Sequence, residues 1–139
     1  MRAFTIPVDL KYFPDLDLVW IRHKGDVTRF ELRELFERLH GENAPEAPSK
    51  NFTDLARIKD VEFGFKELHW HSLRLQERLR SRNQRLIDSV HAPDGVSFGL
   101  ARIYQQVVDP DGPLQVHVHD ERKQALAALA LPHIPEELL

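Results

Sequence analysis

The feature that most constrains this chain is a helix start placed directly behind a strand. Residues 16–23 are rich in β-branched and aromatic side chains, and Gly25 closes the run, which is strand composition with a terminator. Thr28-Arg29-Phe30-Glu31 follows almost at once. That spacing is a capping box: the threonine hydroxyl accepts from a free amide three residues on, and the glutamate reaches back. Leu32, Leu35, Phe36 and Leu39 then recur at helical spacing as one apolar stripe, and Gly41 marks the end.

The same alternation continues along the chain. Residues 3–8 read as a first strand, joined to the second by a hairpin turn over 11–15 that holds Pro14 and Asp15. After an exposed loop at 42–50, residues 51–58 read as a strand through Phe52, Leu55 and Ile58, and 59–64 as a loop. A second helix begins near Phe65, with Leu68, Ser72, Leu75 and Leu79 along one face. Residues 85–90 form the next strand. Asp94 is an N-cap candidate for a third helix over 96–108 that buries Leu100, Ile103, Tyr104 and Val107. Residues 114–119 alternate as a last strand, and Asp120 is positioned to cap a final helix through Leu129. The order β-β-α-β-α-β-α-β-α implies right-handed crossovers and a mostly parallel sheet with an antiparallel entry hairpin.

Composition narrows the function classes. One domain spanning 1–139 is expected from the length, with 42% apolar and 29% charged residues, enough for a core without staples. The chain has no cysteine, so disulfides, thiolate nucleophiles and cysteine-based metal sites are excluded. The net charge of −3 gives no general pull towards nucleic acid. No signal-length or membrane-length apolar run is visible, and a cytoplasmic protein without a transmembrane segment is expected.

Several local patterns, taken in order, resemble the SpoIIAA-like proteins of the STAS superfamily, in an uncharacterised branch. They are the strand, glycine and capped helix of 18–28, Phe52-Thr53-Asp54-Leu55 as a central strand ending in an acid, Ser97-Phe98-Gly99-Leu100-Ala101-Arg102-Ile103-Tyr104 as a helix, and Asp120 with Gln124-Ala125-Leu126 as the closing helix. The resemblance implies a small α/β fold of about five strands and four helices, acting by binding rather than chemistry. Better-known members carry a phosphorylatable serine or threonine just after the central strand. The corresponding turn here is 59–64, and no hydroxyl residue occurs between Thr53 and Ser72. A phosphate switch needs that acceptor.

The superfamily fold also resembles the CRAL-TRIO lipid carriers. Phe63, Phe65, Leu68 and Trp70, following Gly64, would then form a lid over an apolar pocket, with Arg102 and Tyr104 at its wall. The alternative use of these apolar residues is core packing or a homodimer contact. Arg102 is alternatively the ion-pair partner of Asp54.

Catalytic sets are weakly represented. His117 and His119 point to one face of a strand and are the best metal candidates, with His91 as a third ligand. His69 and His71 are about 200° apart on a helix and cannot share an ion. No serine lies in a Gly-x-Ser-x-Gly elbow, and Gly95 and Gly99 do not form a phosphate loop. No cofactor is expected. The arginine-rich end of the second helix, Arg74, Arg78, Arg80, Arg82 and Arg85, suits an acidic partner or peripheral contact with an anionic membrane. The expected function is a non-enzymatic binding or regulatory module acting through protein contacts. The alternatives are a carrier or sensor of a small apolar ligand and, more distantly, a histidine-based metal enzyme.

Overall fold

A computed structural model describes residues 8–139. One five-stranded sheet runs in the order β1-β2-β3-β4-β5: Val8–Phe13, Leu18–Val27, Lys50–Val61, Leu86–His91 and Leu114–His119. β1 is antiparallel to β2, and the other three pairings are parallel. The helices are α1 (Arg29–His40), α2 (Phe65–Ser81), α3 (Gly95–Val107) and α4 (Arg122–Ala127). The mixed sheet, the entry hairpin and the four helices are as the sequence pattern predicts.

Each strand lies beside its chain neighbour and the crossovers run in one direction. Right-handed connections then place α1, α2 and α3 on the same face. Val19 and Ile21 meet Leu35 and Leu39 of α1 there. Leu86 and Leu114 meet Leu75 and Leu79 of α2. The other face is covered by α4 and the following chain, where Leu18, Trp20 and Phe52 pack on Leu126, Leu129 and Leu138.

The caps explain the helix starts. Thr28 Oγ1 accepts from the Glu31 amide at 3.3 Å, and Asp94 Oδ1 accepts from the Ser97 amide at 2.8 Å. β2 continues past Gly25 to Val27 through a register shift against β3, with Gly25 at φ +69°, a conformation that favours glycine.

Several boundaries differ from the sequence expectation, β2 among them, which is Leu18–Val27 rather than 16–23. The 11–15 turn is only Pro14–Leu16, because Tyr12 and Phe13 pair with Val19 and Leu18; residues 3–7 of the expected first strand lie outside the described residues. β3 runs to Val61, three residues beyond Ile58. There it pairs with β2 alone, and Lys59 and Asp60 are exposed, so no apolar alternation marks them. The last helix is short, starts behind Glu121 without a side-chain cap, and ends at Ala127.

An ion pair between buried Asp54 and half-buried Arg122 ties α4 to the sheet. The Asp54 carboxylate accepts from Arg122 at 2.9 Å, from Trp20 Nε1 at 3.2 Å and from the Ala56 amide at 3.1 Å. Arg122 also donates to the Leu138 carbonyl and lies over the Phe52 ring, 5.1 Å from its centroid. Arg102, offered from sequence as the partner of Asp54, is on the exposed side of α3, across the sheet, and bonds Gln105 at 2.8 Å. Burial alone would raise the Asp54 pKa, but Arg122, the Ala56 amide and Trp20 hold it below its usual value. This stabilisation is therefore present at neutral pH and is lost as pH falls through the depressed value.

Arg122→Leu leaves a buried carboxylate without its counter-ion, held only by Trp20 and the Ala56 amide, and is expected to cost about 3 kcal/mol in urea unfolding. Adding Asp54→Asn should recover a substantial part of that loss. An unchanged unfolding midpoint in the single variant would remove Arg122 from this role.

Candidate functional site

Parity along the strands decides which side chains face α1–α3. On β2 the inward residues are Val19, Ile21 and His23; on β3, Asn51, Thr53 and Leu55; on β4, Leu86, Asp88 and Val90. Four of these nine inward positions are polar. They form the floor of a cavity of about 90 Å³ between the sheet and the three helices. Its walls are mostly apolar and include Leu35, Phe36, Leu68, Leu75, Leu100 and Ala101. His40, His71 and Tyr104 add polar groups from the helices.

The floor has few internal partners. Thr53 Oγ1 donates to Asp88 Oδ1 at 2.6 Å. The Nδ1 atoms of His23 and His40 are buried without a hydrogen-bond partner among the described residues. His71 lies between two rings, 6.4 Å from Phe36 and 6.3 Å from Tyr104 by centroid.

Burial sets the protonation states. It lowers His23 to about 4 against the opposing pull of Asp54. His40 falls to about 4 by burial and then by Arg82 and Arg78. His71 falls to about 4 by burial and by Arg74. Burial raises Asp88 to about 7, partly offset by Thr53, and moves Tyr104 well above its usual value. Near neutral pH the cavity thus holds neutral imidazoles, a phenol and a carboxyl group that burial holds towards its protonated form. At the helix N-termini, Glu31 is also buried with Oε2 unpartnered, and burial raises it to about 7.

The sequence candidates divide. Phe63, Leu68 and Tyr104 line the cavity. Phe65 is 60% exposed and stacks on His69 at 5.7 Å, and Trp70 is 58% exposed and outside the cavity lining. Arg102 is outside the cavity lining and exposed. His117 and His119 share the α4 face of β5 and are half-buried, while His91, opposite His119, is engaged by Asp54 and Arg122. Among the described residues no three His, Cys, Asp or Glu side chains are grouped to hold a metal ion.

Several arginines at the end of α2 and beyond serve internal contacts. Arg74 pairs with Glu37, Arg80 with Asp109, and Arg82 donates to the Gly41 carbonyl. No helix among the described residues is long and apolar enough to cross a membrane.

His23, His40, Asn51 and Asp88 were not singled out from sequence. For His23, Asn51 and Asp88 the signal was present as polar residues at strand positions in phase with Val19, Ile21, Leu86 and Val90, whereas His40 closes α1 and follows its apolar stripe.

Comparison with solved structures agrees with this architecture. The chain is similar to the anti-sigma factor antagonist SpoIIAA in its unphosphorylated form, at 11% identity and a TM-score of 0.57, over 88% of this chain and 96% of that one. It also matches an uncharacterised DUF3478-family protein with a SpoIIAA-like fold from Shewanella loihica, at 15% identity and a TM-score of 0.48, over 93% and 98% of the two chains. No protein-family model and no curated protein matches the sequence. The fold is SpoIIAA-like, as the sequence resemblance implies.

The raised Asp88 pKa has a sign that can be checked. A carboxyl raised in the folded state loses stability as pH climbs from its unfolded value, near 4, through about 7. Asp88→Asn keeps an acceptor for Thr53 and removes the charge. The variant should gain roughly 2 kcal/mol relative to the parent between pH 5 and pH 8. Parallel urea curves at the two pH values test this, and an equal difference at both would refute it.

Proposed function

We propose that this protein is a non-catalytic binding module that holds a small, mainly apolar molecule in the cavity between the sheet and α1–α3. The observation that carries this reading is the polar floor together with the histidine that α1 adds to it. A cavity serving only as a packing flaw would be lined by hydrocarbon, since buried polar atoms without partners are costly. Here His23 and His40 each bury an unpartnered Nδ1 beside apolar walls. A ligand with an apolar body and one or two hydrogen-bonding atoms would satisfy both features.

The SpoIIAA-like fold supports a binding or regulatory module. The turn between β3 and α2 carries no hydroxyl, since 62–64 is Glu62-Phe63-Gly64. In this reading ligand occupancy, rather than phosphorylation at that turn, is what the module reports.

A role in protein contacts, the second reading, is favoured by a separate observation. Phe30, Phe65, Val96 and Phe98 lie in the first turns of α1, α2 and α3 and are all exposed. Parallel strands bring these three helix starts to one end of the sheet, and Phe63 and Leu32 of the cavity wall lie close by in sequence. A partner covering that end would sense the cavity's contents.

Native mass spectrometry of protein purified from its own host is the direct test, and a small retained molecule is expected. Leu100→Trp, which fills the cavity from α3, should release it. Restoring the ligand to the parent should raise Tm by several degrees, as expected for saturation of one site. A parent that is empty and unresponsive to small amphiphiles would remove the ligand reading.

A further inference from the structure

A second cleft lies outside the cavity, between α1 and α2. It measures about 390 Å³ and is lined by Arg29, Arg33, Lys66 and Arg74, with Glu67 and the exposed Trp70. Leu32 and His71 line both this cleft and the inner cavity, so they form the wall between the two.

The charges of the cleft are unbalanced. Arg29, Arg33 and Lys66 form no salt bridge among the described residues. The one lining acid, Glu67, turns its carboxylate to the Gly64 amide at 3.0 Å, where it caps α2. Arg74 is held by Glu37 and by the Phe36 ring, 4.3 Å from its centroid. Arg29 and Lys66 act at longer range on the Glu67 carboxylate, and with Arg33 they leave an excess of positive charge in the first two turns of α1 and α2, the helix ends whose dipoles also favour negative charge.

We propose that cleft and cavity are two halves of one site for an amphipathic carboxylate. The head lies in the α1–α2 cleft on Arg29, Arg33 and Lys66. The tail passes the Leu32–His71 wall into the cavity. Size limits the tail: a cavity of about 150 Å³ takes benzene, so one of about 90 Å³ holds about four carbon atoms. This selects a short chain over a membrane lipid. Trp70 at the cleft edge supplies an apolar surface where the chain crosses from cleft to cavity.

The inference rests on the cavity reading above and adds the charge and length of the ligand. Titration calorimetry with hexanoate and with 1-hexanol separates the two claims. Hexanoate should bind the parent at least tenfold more tightly than 1-hexanol, with the preference shrinking as salt rises. The exposed triple variant Arg29→Gln/Arg33→Gln/Lys66→Gln should bring hexanoate down to the level of 1-hexanol and leave 1-hexanol unchanged. Equal binding of both probes by the parent, or a preference that survives in the triple variant, overturns the carboxylate site and leaves the cavity reading standing. Failure of both probes to bind overturns the two together.

Discussion

The direction of the crossovers governs the rest of this molecule. Right-handed connections between sequential parallel strands put α1, α2 and α3 on one face. A doubly wound sheet, by contrast, reverses its strand order and opens a crevice at the reversal, where ligands usually bind. The parallel strands here do not reverse, so that crevice is absent from the described sheet. Space for a small molecule arises instead between the sheet and its single layer of long helices, and there the polar floor is found.

The two faces solve opposite electrostatic problems. On the α4 face the charged group is fully compensated: Asp54 receives Arg122, Trp20 and an amide, and its acidity increases. On the α1–α3 face Asp88 has one hydroxyl partner and its acidity falls. The first arrangement fixes a structure. The second leaves donors and acceptors unspent beside the cavity, at a cost in stability that packing elsewhere must offset.

Much of the fold was legible because local signals agreed with the global pattern. Thr28 and Asp94 announce their helices through side-chain caps, and both bonds form. The spacing of Leu68, Ser72, Leu75 and Leu79 predicts a stripe that is wholly buried. The end of β3 was not legible, because a two-strand overhang exposes Lys59 and Asp60 and erases the alternation. Phe63, Leu68 and Tyr104 could be placed near a cavity only through the resemblance to lipid carriers, since their apolar spacing suits core packing equally well. The floor residues could not, because a histidine or aspartate in strand phase reads equally well as surface until the neighbours of each strand are known. The partner of Asp54 was missed for a similar reason: Arg102 and Arg122 both follow helix starts, and only the sheet decides which side each is on.

The ion pair between Asp54 and Arg122 also has a consequence for synthesis. Each strand pairs with the strand made just before it, so the sheet can grow in step with a chain emerging N-terminus first. Asp54 does not share that convenience. Its guanidinium arrives 68 residues later. Until then a carboxylate in the middle of a nearly complete sheet lacks its counter-ion. The short α4 segment therefore acts as a closing latch, and the nascent domain becomes fully committed only when its last helix docks.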